Sequence, residues 1–155
     1  MVGLERFAEG DRLIDACEAY FGATQSRRDL IVAANMRSFL EACQAHWPEA
    51  LAAGQRCVRL AWESQLHLWL AMGLWNLPQP LSELGDHERA VRLKGFAERF
   101  WTQHLGVLTA EDVDGVASVR ASAAECLGTS RVATLWNEGA ALPVAAAVAL
   151  ALDAA

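Results

Sequence analysis

The run Leu66-His67-Leu68-Trp69-Leu70-Ala71-Met72-Gly73-Leu74-Trp75-Asn76-Leu77 decides how this chain is read, because only His67 and Asn76 interrupt twelve otherwise apolar residues. Wound as a helix, it carries Leu66, Trp69, Leu70, Gly73, Leu74 and Leu77 on one face and Leu68, Met72 and Trp75 on the other. Both faces need cover. A helix that is apolar all round is buried by neighbours or by lipid, and this one falls well short of the ~20 residues that span a bilayer. The stretch therefore predicts the central helix of a soluble fold, wrapped by amphipathic helices.

Downstream, Pro78 and Pro80 predict a kink followed by one more turn through Leu81 and Leu84. Gly85 closes that turn and Asp86 caps the next helix, whose stripe is Ala90, Leu93, Phe96, Ala97, Phe100, Trp101 and His104, with Glu88, Arg92, Arg99 and Gln103 opposite. Thr109 and Asp112 form a capping box for Ala110 to Leu127, with Val113, Val116, Ala117 and Ala124 inward and Gly128 as the stop. A short helix with Val132, Leu135 and Trp136 ends at Gly139, and Pro143 opens the last, to about Leu152.

Upstream, Pro48 and Glu49 start a helix that turns Leu51, Ala52, Cys57, Val58 and Ala61 inward. Before it, Ser26 and Asp29 form a variant capping box for a helix to about Ala45, with Leu30, Ala33, Ala34, Phe39, Leu40 and Cys43 inward. Leu4, Phe7, Ala8, Leu13, Ile14, Cys17 and Phe21 mark a first helix, bent or frayed near Gly10 and ended by Gly22. Helices joined by such short turns lie antiparallel. Two consecutive hairpins with a period in the thirties, and small residues such as Ala50 and Ala90 early in each second helix, are the pattern of tetratricopeptide stacking. The expectation is all-α: an α-α superhelix of antiparallel hairpins over about residues 4–105, closed by C-terminal capping helices at 109–153, within one domain of 155 residues.

Composition narrows the function classes. With 54% hydrophobic and 21% charged residues the chain is globular, and a net charge of −6 without a basic cluster argues against nucleic acid as a direct partner. Residues 1–7 lack the charged and apolar regions of a signal peptide, and Ala140 to Leu152 is too short to span a bilayer, so neither export nor membrane insertion is expected. Cys17, Cys43, Cys57 and Cys126 have no paired spacing, which reads as reduced, mostly buried thiols in a cytoplasm.

Two runs carry a family likeness. Gly85-Asp86-His87-Glu88-Arg89-Ala90-Val91-Arg92-Leu93-Lys94-Gly95-Phe96-Ala97-Glu98 resembles the last repeat helix of the tetratricopeptide region in large bacterial ATP-dependent transcriptional regulators, which pair a signal-transducing ATPase with a LuxR-type or winged-helix DNA-binding domain. Leu135-Trp136-Asn137-Glu138-Gly139, followed by the Ala/Val/Leu run to Leu150, is similar to their terminal cap. The likeness covers about residues 50–152 and departs in the extra tryptophans and in Pro78 and Pro80. It implies a helical-repeat sensor or docking segment without an ATPase or DNA-binding part of its own, and it offers no catalytic residues to carry over.

The residues themselves give no positive sign of catalysis, of a cofactor or of a metal. Cys43 and His46 have zinc-like spacing but lack a second pair nearby. Glu111, Asp112 and Asp114 crowd a helix start, where the dipole favours acid. His67 is a ligand or base in one reading and, in the one the pattern favours, a hydrogen-bonded core histidine. Six tryptophans are the compositional excess. Trp62, Trp69 and Trp75 are placed near one another on one helix, either as core or as the lining of a concave surface that His67 and Asn76 could orient a guest within. The candidate binding residues are thus His67, Trp69, Trp75 and Asn76. The function expected is a non-catalytic protein-interaction or signal-sensing module, with a protein or peptide partner or a second copy of this chain; a small-ligand sensor with a tryptophan-lined pocket is the alternative.

Overall fold

The computed structural model describes the backbone of residues 2–153 and the side chains of residues 6–153. Among them the chain forms nine helices and no strand: α1 (Val2–Thr24), α2 (Arg27–Cys43), α3 (Trp47–Glu63), α4 (His67–Asn76), α5 (Pro78–Glu83), α6 (His87–His104), α7 (Ala110–Leu127), α8 (Thr129–Ala140) and α9 (Val144–Leu152). No described helix is long and apolar enough to cross a membrane.

One turn is used four times. Gln25, Ala45, Gln65 and Gly85 all have φ between 54° and 90°, at intervals of twenty residues. After each, an amide reaches back five residues: Ser26 to the Phe21 carbonyl, His46 to Glu41, Leu66 to Ala61 and Asp86 to Leu81, at 2.9–3.1 Å. This is the Schellman arrangement, which satisfies the carbonyls a helix end leaves open. Two helices therefore take forty residues, not the thirty-odd of a tetratricopeptide unit. Gly22 does not end α1; it lies inside the helix and Gln25 makes the turn. Gly10 lies within the unbroken α1 and leaves room for the Leu40 side chain, 3.2 Å from where a Cβ would stand. The side chain of Leu4, assigned inward, lies outside the described residues.

The Pro78 kink forms as expected. Leu77 keeps helical angles between α4 and α5, and Leu77, Pro78, Pro80 and Leu81 are all buried. Asp86 caps α6 by accepting from the Arg89 amide, and Thr109 with Asp112 forms the reciprocal box on α7. The Ser26–Asp29 box does not: Ser26 Oγ donates to Asp29 itself and the α2 amides gain no side-chain cap.

Leu66–Leu77 is not the element the rest surrounds. His67 and Leu68 are exposed, the latter at 49%, while Leu70, Ala71, Gly73 and Leu74 are buried. That position belongs to α6, which packs on α4, α5, α7, α8 and α9. Its Ala90, Leu93, Phe96 and Phe100 enter the main core with residues of α2–α5 and α9, whereas Val91 enters a second cluster with Val116, Ala123, Val132, Leu135 and Trp136. A helix so enclosed can hold charges only by partnering them. Buried Arg89 donates to the carbonyls of Leu150, Ala151 and Asp153, the open end of α9. Accordingly α9 does not close the end of a row but folds back onto α3 and α6, and Gln55 also donates to the Ala151 carbonyl at 3.0 Å. The α6–α8 contact is backbone-close, since a Cβ at Gly95 or Gly139 would collide with the Trp136 or Arg92 carbonyl oxygen.

At the other edge α1 rests on α2 with Leu13 at 61% and Tyr20 at 65% exposure, so its expected inward stripe is only partly covered. Charge adds to the contact: Arg37 of α2 pairs with Asp11, Asp15 and Glu18 of α1.

Candidate functional site

Where α2, the α4–α5 bend, α6 and α7 meet, they leave a cleft of about 440 Å³. Its α2 wall holds Phe39 and Cys43, which the helical pattern assigned to the core; Phe39 is 57% exposed and Cys43 is also exposed. The opposite wall is α7, with Val119, Ser118 and Ser122, and Glu111 and Asp112 near its start. Trp75, Asn76 and Ser82 come from the bend.

Lys94 forms part of the lining and is 5% exposed. Its Nζ donates to the Trp75 carbonyl oxygen at 3.4 Å and stands 3.4 Å from the centre of a Trp75 ring, a cation–π distance. Trp75 in turn leans on Trp101, with ring centres 5.2 Å apart. Burial brings the Lys94 ammonium down from the ordinary 10.5 to about 8, with Asp112 and then Glu98 pulling the other way. Asn76 is fixed by donating from Nδ2 to Asn35 Oδ1 at 3.1 Å. Ser82 Oγ and His87 Nδ1 lie 3.1 Å apart across the α5–α6 turn. No carboxylate accepts from the far nitrogen of His87 among the described residues, so the pair fastens a turn and lacks the third member of a nucleophilic triad.

The four residues singled out in the sequence separate into two pairs. Trp75 and Asn76 face the cleft; His67 and Trp69 border a different depression of about 300 Å³ beside Arg28, at the α3–α4 turn. His67 is exposed, at the first position of α4, and not the core histidine its apolar surroundings suggested. Trp62 belongs to α3, not to the helix of Trp69 and Trp75. Of the cysteines only Cys57 is buried, its thiol pushed up to about 12 by desolvation; Cys17, Cys43 and Cys126 are exposed. His46 Nδ1 pairs with Glu41 at 2.9 Å. Among the described residues no three His, Cys, Asp or Glu side chains could share a metal ion.

Sequence reasoning missed Lys94, though two signals pointed to it. It is the only lysine among 13 basic residues. It also falls four residues after Ala90 and three before Ala97, inside the stripe already read as inward. Comparison with known protein families, with curated proteins and with solved structures finds no match for this chain.

Proposed function

We propose that this chain is a non-catalytic helical-repeat module of the signal-sensing or docking kind, and that it engages its partner or ligand in the cleft between α2 and α7. The observation that carries the reading is the buried Lys94–Trp75 pair on the lining of a cleft of about 440 Å³, within the ~300–1,000 Å³ usual for ligand sites. A recurring turn every twenty residues supports a repeat architecture in which α2, α4–α5 and α7 are the first helices of successive pairs and together line one surface. The tetratricopeptide likeness of residues 85–98 and 135–150, and a kinship with bacterial regulators, belong to the same proposal. The forty-residue pair and the folded-back α9 mark where this chain would depart from that family.

A protein segment and a small molecule are both compatible with such a surface. The small molecule is favoured by the convergence of one ammonium, one indole and several hydroxyls on one volume. The test is a Ser118→Trp variant, which fills the cleft from an exposed helical position. Immobilised wild type and variant are exposed to a cell extract, and retained proteins and metabolites are identified by mass spectrometry. A species held by the wild type and lost by the variant supports the cleft. Equal retention by both removes it.

A further inference from the structure

Lys94 lies 5% exposed on the lining of the cleft, against one carbonyl oxygen and one indole face. An ammonium carries three N–H donors. The Trp75 carbonyl takes one and the Trp75 ring faces the charge, so at least one donor has no protein acceptor among the described residues. Asp112 and Glu98 act on the same nitrogen through space and favour its positive form. These surroundings suit a nitrogen that keeps its charge but sheds hydrogens. A protonated imine is such a nitrogen, with a single N–H for the single carbonyl and its charge still over the indole. Burial also loosens the Lys94 proton, from the ordinary 10.5 to about 8. At pH 7 roughly 10% of the amine is then the nucleophilic free base, against about 0.03% for an ordinary lysine.

The charges on the lining select what can approach. Glu83, Glu111 and Asp112 disfavour an anion, and Lys94 disfavours a cation. An uncharged molecule meets neither cost, and Phe39, Trp75 and Val119 offer apolar wall to its body. We infer that Lys94 is a covalent docking point for an uncharged aldehyde or ketone with an apolar or aromatic body, held as a reversible imine. The inference rests on the cleft being the recognition site and names the chemical class of its ligand. The lone pair of the neutral amine adds to the carbonyl carbon, forming a C–N bond and moving the π pair onto oxygen, which takes the proton that nitrogen sheds. The nitrogen lone pair of this carbinolamine then forms C=N as the C–O bond breaks, and the hydroxyl leaves as water with one proton from solvent. In sum, the ammonium and the carbonyl compound give a protonated imine and one water with no change of oxidation state, and hydrolysis reverses the step.

The full chain is incubated at neutral pH with butanal, hexanal, benzaldehyde, phenylacetaldehyde and acetophenone, and then with cyanoborohydride, which reduces an imine to a stable secondary amine. Peptide mass mapping separates label at Lys94 from label at the chain's α-amine, and tryptophan fluorescence follows binding before reduction. The expected result is saturable labelling of Lys94 by at least one compound, with Kd below about 1 mM and a rate about tenfold or more above that of the α-amine or of Nα-acetyllysine. Lys94→Met weakens the fluorescence titration about tenfold or more while its circular dichroism stays helical. 4-Carboxybenzaldehyde labels Lys94 about threefold or more less than benzaldehyde does. Ser118→Trp lowers the Lys94 label about tenfold or more and leaves the α-amine label unchanged; Ser122→Trp, one turn further along α7, replaces it if it loses helical circular dichroism. Absence of Lys94 label from every compound at about 10 mM overturns the inference. So does labelling no faster than at the α-amine, equal labelling by 4-carboxybenzaldehyde, or an unchanged Lys94 label in the filled cleft. If the extract screen with Ser118→Trp identifies a cleft species that has neither aldehyde nor ketone, the imine assignment fails and the cleft stands; if it identifies nothing, both fail.

Discussion

Gly139 of α8 and Arg92 of α6 meet backbone to backbone, at a separation that leaves no room for a Cβ on the glycine. Gly95 of α6 makes the reciprocal approach to the Trp136 carbonyl. Gly139→Ala therefore forces the two helices apart along the contact that also seats Leu135 and Trp136, and overpacking of this kind costs about 2–3 kcal/mol. Gly115 in α7 has nothing near its missing Cβ, so Gly115→Ala gains about 0.5–1 kcal/mol from helix propensity. Urea denaturation of both variants reads the difference, with opposite signs expected.

Ala45 and Gln65 hold left-handed angles, φ 59° and 55°, in turns where Gly85 does the same job without a Cβ. A side chain there costs about 1 kcal/mol relative to glycine. Ala45→Gly and Gln65→Gly are expected to raise stability by about that amount each. They lie in separate turns, so their effects should add. Gly85→Ala should lower stability by a similar amount, and thermal melts of the set check the ordering.

The Arg89 guanidinium serves three carbonyls at the end of α9, at 2.6–3.0 Å. Arg89→Met leaves those oxygens without their donor inside the fold, at a cost of roughly 2–4 kcal/mol. Hydrogen exchange resolves where the loss falls. Amides of α9 should lose protection first, with α7 and α8 retaining theirs, because Gln55 alone cannot hold the helix against α3.

Lys94 titrates near 8 when folded and near 10.5 when unfolded, so between those values the unfolded chain binds more protons and stability rises with pH. Below pH 8 the folded state carries the full cost of a buried ammonium, roughly 3 kcal/mol. Lys94→Met should thus be more stable than wild type at pH 7, with an advantage that shrinks from pH 8 and is gone near 10.5. Cys57 acts in the opposite sense, because its raised value takes stability away once the unfolded thiol ionises above about 9. Subtracting the variant's pH curve from that of the wild type cancels the cysteine. A flat difference from pH 7 to 10.5 would contradict the assignment.

What the sequence revealed follows backbone chemistry that acts within a few residues. Gly85, Asp86, the Thr109–Asp112 box, Gly128 and Pro143 all do what their residue types require, and the Pro78 kink with its extra turn forms. The turns at Gln25, Ala45 and Gln65 were not legible, because residues that avoid left-handed angles adopt them only when packing on both sides leaves no other path. The identity of the enclosed helix was hidden for a related reason. Apolar content ranks Leu66–Leu77 first, whereas Arg89 becomes buryable only once the distant α9 brings it carbonyls. At the site, Trp75 and Asn76 could be named from the sequence, but their separation from His67 and Trp69 depends on which side of α4 meets α6 and α7.

Because Lys94 is the sole lysine and lines the cleft at 5% exposure, the folded chain offers acylating reagents a single side-chain amine, reached through the cleft. The rate of tagging at that one nitrogen should therefore fall when a bound species fills the cleft.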